Sequence, residues 1–252
     1  MNFVNLIKRS IILSIGAVIF MQLDYYFVLF ILYSFLGWTM EVVLTLIEKR
    51  KFIDRGFLIG PYCPIYGFGA LLITRLLKNY TDNWLVLFIL AMVICMLLEY
   101  LTSYLMEVIF KARWWDYSDK KFNINGRICL ETTIPFGLGA LLVMYVLHPF
   151  FSSILKNVND ILLLVLATFI FALFLVDLIV SFNVISKFKN AEIKIKRDNT
   201  EEITRKVREY LINHSKLTKR LANAFPNAQA VFDGIKEKAK EKATKIKKFY
   251  NL

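Results

Sequence analysis

WLVLFILAMVICMLLEYLTSYLM, residues 84–106, is a continuous apolar run that carries one acid, Glu99. A hydrocarbon core of about 30 Å needs roughly 20 apolar residues at about 1.5 Å each, so this stretch predicts a membrane-spanning helix. Four other runs pass the same test, at residues 25–47, 57–77, 128–147 and 161–185. Before them, residues 10–23 form a shorter apolar stretch behind Lys8 and Arg9, and no small-residue cleavage site separates it from the next run. An interfacial or partly inserted helix is expected there. The whole chain of 252 residues is 57% hydrophobic, well above the roughly 45–50% of soluble domains, which argues against a soluble globular enzyme.

Charge divides the chain in two. Of the net +12, the stretch 186–252 holds 18 bases against 8 acids, while residues 1–185 are nearly neutral. Lys and Arg near span ends are retained on the cytoplasmic side. Lys49, Arg50, Lys51 and Arg55 follow the first span, and Lys111, Arg113, Lys120, Lys121 and Arg127 follow the third. Lys78 alone follows the second, and Lys156 alone follows the fourth. The first and third connections and the tail are therefore expected in the cytoplasm. Five spans put the amino terminus outside, and a sixth at 10–23 would put it inside. Three cysteines without a CxxC pair, and His148 and His214 standing apart, suggest no metal site and no catalytic set.

The chain also resembles itself at a period of about seventy residues. Glu41 and Glu107 each precede two β-branched residues, Lys51-Phe52 matches Lys121-Phe122, and Arg55-Gly56 stands opposite Gly126-Arg127. Pro64 with GFGALL matches Pro135 with FGLGALL. With both basic connections on one side, the likeness reads either as a parallel repeat of two hairpins, at whose interface transporters commonly place substrate, or as two helical hairpins that share only the grammar of all membrane hairpins.

Residues 55–70, RGFLIGPYCPIYGFGA, place Pro61 and Pro64 among Gly56, Gly60, Gly67 and Gly69. A straight helix is not expected through Gly60–Pro64, because each proline lacks an N–H and clashes with the preceding turn. Broken backbone persists at membrane depth only inside protein or beside water. It serves either as a tight turn with small packing residues or, with Arg55 nearby, as an anion site at a restarted helix.

Acids inside spans cost about 2.5–3.5 kcal/mol on insertion scales and are functional candidates. Glu99 and Asp177 lie deepest and are candidates for a proton or ion pathway. Glu41, Glu107 and Glu131 lie nearer the ends, where Arg55, Arg113 and Arg127 can neutralise them. In the third connection, Trp114, Trp115 and Tyr117 suit the headgroup layer, while Arg113, Asp116, Asn123, Asn125 and Arg127 could form a coupling loop. In the tail, helical spacing through Ile203, Val207, Leu211, Leu217 and Leu221, and again after Pro226, predicts basic amphipathic helices suited to an anionic leaflet or a partner.

The strings YSFLGWTMEVV (33–43), KFIDRGFLIGPYCPIYGFGA (51–70), EYLTSYLMEVIFKARWWDYSDKKFNINGRICLE (99–131) and RLANAFPN (220–227) carry a family resemblance. The chain resembles the bacterial multi-pass family known as putative ABC-transporter type IV, or putative ABC transporter permease. That resemblance implies a permease-like role in the plasma membrane of a bacterium. The family pattern has Asn before Arg-Gly-Phe-Leu, where this chain has Asp54, which could pair with Arg55 or Lys51. No GxxxxGK[ST] string occurs, so an ATPase would be a separate subunit.

The expectation is an all-α polytopic membrane protein of five spans, or six, with a parallel two-hairpin repeat over 1–185 and a basic helical cytoplasmic tail over 186–252. It would be a permease for an unidentified solute, ATP-driven through a separate subunit or proton-coupled. The other reading is a non-transporting scaffold or sensor whose tail binds the leaflet or a partner. Expected partners are the bilayer, an ATP-binding subunit and further copies of the chain. No enzyme activity, cofactor or nucleic acid is expected.

Overall fold

The computed structural model describes residues 3–110, 114–197 and 220, with side chains for 22–110, 114–183 and 220. Arg113 and the predicted tail helices lie outside the described residues, apart from Arg220. The described chain is α-helical, with six α-helices in order: α1 (Phe3–Lys49), α2 (Pro64–Leu76), α3 (Trp84–Phe110), α4 (Leu130–Leu142), α5 (His148–Lys156) and α6 (Asp160–Arg197). A π-helical turn at Val143–Leu147 joins α4 to α5, and a two-stranded hairpin of β1 (Asn123–Ile124) and β2 (Ile128–Cys129) precedes α4.

Among the described residues, four stretches are long and apolar enough to cross a membrane: Gln22–Lys49, Trp84–Phe110, Leu130–Lys156 and Asp160–Asn183. Only 11% of the last span is buried within the protein, and Leu162, Val165, Phe169 and Val176 face outward. Such an apolar exterior is what lipid, as solvent, requires.

Two expectations change. The second predicted span, 57–77, is helical only as the 13-residue α2, preceded by non-helical residues 51–63, the lead-in. The proline and glycine content broke more of the helix than the Gly60–Pro64 region, and Pro64 starts α2 at a position where its missing N–H costs nothing. Residues 10–23 are not a separate interfacial helix but continue directly into α1. No proline or glycine breaker lies between that stretch and the first span.

Helix starts follow local chemistry. Asn83 Oδ1 accepts from Val86 N at 3.2 Å and Asn159 Oδ1 from Ile161 N at 2.9 Å, so each caps the helix that follows. α1 and α2 run antiparallel, with Tyr66 against Glu41 near one end and Arg75 against Tyr26 at the other. Their close approach needs Gly67, where a Cβ would lie 2.3 Å from Ser34 Oγ and 2.6 Å from the Phe30 carbonyl. α3 and α4 approach similarly at Gly137, against Phe88 and Met92. One buried cluster, Ile73, Leu77, Leu87, Ala91, Ala140 and Met144, joins the two hairpins through α2, α3 and the α4–π turn. Another, with Leu29, Tyr33, Ala70, Leu155 and Leu163, ties α5 and α6 to the first hairpin.

Candidate functional site

The lead-in has few backbone bonds of its own, and its groups are met from three directions. Cys63 N donates to the Ser34 carbonyl of α1 at 2.9 Å. From α6, the Asp177 carboxylate accepts Ile59 N at 2.9 Å, Gly60 N at 2.7 Å, Tyr62 Oη at 2.5 Å and Ser181 Oγ at 2.8 Å. Of the two sequence readings, a tight turn or an anion site at the helix restarting after Pro64, neither named these donors: Ile59 N and Gly60 N, before Pro64, hold an internal carboxylate. The third partner is Arg220, which donates through Nε to Asp54 Oδ2 at 2.5 Å and through Nη2 to the Leu58 carbonyl. Asp54 Oδ1 accepts from Trp38 Nε1 at 2.8 Å, so Asp54 pairs with Trp38 and Arg220, where Arg55 or Lys51 had been expected.

Beside the lead-in, two acids and two tyrosines converge from both hairpins. Tyr66 Oη of α2 donates to Glu41 Oε1 at 2.5 Å, and Arg55 Nε lies 3.5 Å from Glu41 Oε2. From the second hairpin, Tyr117 Oη donates to Glu99 Oε1 at 3.3 Å. Glu99 is only 5% exposed, and among the described residues its Oε2 is buried without a hydrogen-bond partner. The Tyr117 phenol is pushed well above its usual range, chiefly by burial and further by the negative fields of Glu99 and Glu41. It therefore stays a proton donor. Burying an acceptor without a partner is costly, so the free Glu99 oxygen is poised for a proton, a cation or a hydrogen-bond donor.

The second hairpin repeats the first hairpin's ion pair more tightly. Arg127 Nη2 lies 2.8 Å from Glu107 Oε2, Arg127 Nη1 donates to Ser103 Oγ at 3.3 Å, and the guanidinium stacks over Tyr100 and Tyr104. Sequence matching had aligned Arg55 with Arg127 and Glu41 with Glu107; the ion pairs seen are Arg55–Glu41 and Arg127–Glu107. Glu131 departs from its expectation, since its partner is Lys120, at 3.0 Å. Their bond raises the affinity of the exposed Lys120 for its proton. Glu131 also lines a surface groove of about 440 Å³ with Lys121, Phe122, Leu130 and Ile134, which includes none of the buried acids.

The third connection is built inward. Asn125 (φ 53°) and Gly126 (φ 66°) form the positive-φ pair of a tight hairpin turn. Asn123 donates to the Ser118 and Lys120 carbonyls and accepts Gly126 N, Asn125 donates to Tyr100 Oη, and Asp116 accepts from Ser118. These contacts fold the connection itself. Trp114 is 8% exposed, packed on Phe57 and Phe110, and Trp115 donates to the Arg127 carbonyl at 2.9 Å. Trp114 is therefore a core residue and not a headgroup anchor, because the hairpin turns it toward the lead-in.

Sequence reading found Glu41, Arg55, Glu99 and Asp177 but missed Tyr66 and Trp38, whose largely apolar settings gave no sign of a polar partner, and took Tyr117 for a headgroup residue. Arg220 could have been singled out as the charged first residue of the RLANAFPN string. Gly56, buried at φ 124°, and Gly60 are backbone elements of the lead-in, and Gly69 packs at α2 against Leu98. Pro61 is exposed at its far end.

No curated protein and no solved structure matches the chain. The family described as putative ABC-transporter type IV matches residues 28–182, which hold both hairpins, the lead-in and Asp177. With more than half of its length matched, the chain belongs to the putative ABC-transporter type IV family.

Proposed function

We propose that this protein is a permease-like carrier in the plasma membrane of a bacterium, moving a solute through the polar site between its two hairpins. The observation that carries the reading is the buried Glu99 Oε2, which has no hydrogen-bond partner among the described residues, set against Tyr117 and near Glu41 at the junction of the hairpins. A site of this kind binds a proton or the positive or donor end of a cargo, and intramembrane acids that face protein serve such pathways. Support for a parallel repeat comes from the matched pairs Glu41–Arg55 and Glu107–Arg127 and from the matched close approaches at Gly67 and Gly137.

The second of five passes is made by the lead-in together with α2. The basic first and third connections and the tail lie in the cytoplasm, and the contact of Arg220 with Asp54 supports a common side for tail and first connection. An ATP-hydrolysing subunit, if it drives transport, is a separate chain, since the sequence has no GxxxxGK[ST] string. Reconstitution in liposomes with a mixed-solute screen, with and without a pH gradient, tests the reading. Movement of at least one solute by the wild type and its loss in Glu99→Gln is expected. No movement under any condition favours the non-transporting scaffold.

A further inference from the structure

The peptide unit between Leu58 and Ile59 is gripped from two sides. Its N–H is bound by Asp177 of α6, and its carbonyl by Arg220 of the carboxyl-terminal stretch. Leu58 is fully buried, so this carbonyl depends on a protein partner. The same guanidinium holds Asp54, which Trp38 of α1 orients from behind. Between these two contacts the chain turns through Gly56, whose φ of 124° L side chains rarely adopt.

We propose that Arg220 is a latch: its guanidinium, bridging Asp54 and the Leu58 carbonyl, holds the lead-in in its packed conformation, so that loss of this contact releases the lead-in. The contact suits a latch because it is partly enclosed, with the Arg220 side chain 13% exposed, yet it comes from a stretch far along the sequence. It also needs arginine. One planar group donates through Nε to a carboxylate and through Nη2 to a carbonyl, and the single ammonium of lysine cannot reproduce that fork. The latch ties Arg220 to the order of the segment beside the Glu41–Glu99 site, and it does not depend on what that site carries.

Cys63, buried at the end of the lead-in, is a native reporter. The test follows alkylation of Cys63 by N-ethylmaleimide in the full chain in nanodiscs, with Cys95 and Cys129 changed to Ser. Loss of a charge-assisted bond corresponds to about a 10-fold or greater rise in local opening, so Arg220→Gln is expected to raise the alkylation rate by that factor. Arg220→Lys gives a smaller rise, and Lys245→Gln, in the same basic tail, gives none. Reversing both charges, Arg220→Glu with Asp54→Arg, slows alkylation relative to Arg220→Glu alone. An unchanged rate in Arg220→Gln, or an equal rise in Lys245→Gln, overturns the latch. Should Arg220→Gln fail to fold, a wild-type rate in Arg220→Lys overturns it equally.

Discussion

Replacing Asp177 tests how the broken backbone is held. In Asp177→Ala the donors Ile59 N, Gly60 N and Tyr62 Oη lose their acceptor together, and Ser181 loses a fourth bond. At about 1–3 kcal/mol per stranded donor the gross loss is about 3–9 kcal/mol. Asp177 is only half-buried, so water can reach part of the group, and a net destabilisation of about 2–4 kcal/mol is expected. Asp177→Asn keeps one acceptor oxygen but turns an amide donor toward other donors and forfeits charge assistance, for a loss of about 2–3 kcal/mol. Ser181→Ala removes one bond of the four and should cost about 1 kcal/mol. The assay is reversible unfolding in mixed micelles, followed by tryptophan fluorescence, with Cys63 alkylation as a local readout. If Asp177→Asn unfolds within about 0.5 kcal/mol of the wild type and leaves Cys63 protected, the carboxylate does not hold the lead-in and the reasoning fails.

Other outcomes follow from the same geometry. Arg127→Ala should destabilise by about 3 kcal/mol and Arg55→Ala by about 1 kcal/mol, because Arg127 is 11% exposed with a 2.8 Å pair and Arg55 is 29% exposed with a 3.5 Å pair; equal effects in the same unfolding assay would contradict this. Gly67→Val forces α1 and α2 apart and should cost about 2–3 kcal/mol, read as a lower midpoint in that titration. Glu131→Gln removes only the exposed pair with Lys120, and its midpoint should match the wild type. Glu99→Gln removes a buried charge whose second oxygen lacks a partner among the described residues, so stability should hold or rise while solute movement is lost.

The membrane fold was legible because apolar length is a one-dimensional signal, and the runs around 25–47, 84–106, 128–147 and 161–185 each lie largely within long helical stretches. The run at 57–77 misled because its composition is apolar throughout, while Pro61, Pro64 and the glycines decide that its first seven residues, 57–63, are not helix. Reading the sequence set Glu41 and Glu107 near span ends with Arg55, Arg113 and Arg127 as candidate partners, but that Arg55 meets Glu41 and Arg127 meets Glu107 came only with the fold. The partners of the lead-in were not legible. Asp177 lies 117 residues beyond Gly60, and Arg220 lies 166 beyond Asp54, so only tertiary structure joins them. Tyr66 and Tyr117 were hidden for a related reason: Tyr66 among apolar residues reads as packing and Tyr117 beside tandem tryptophans reads as a headgroup residue, until each hydroxyl is seen to reach an acid.

The most direct test of a solute path at the hairpin junction is water access to position 99. Glu99→Cys, in a chain with Cys63, Cys95 and Cys129 changed to Ser, would be treated with a small membrane-impermeant thiosulfonate from each side of sealed vesicles. A path predicts labelling from at least one side, slowed when a transported solute is present. Absence of labelling from both sides, with the protein folded, would show a dry structural acid and contradict the account.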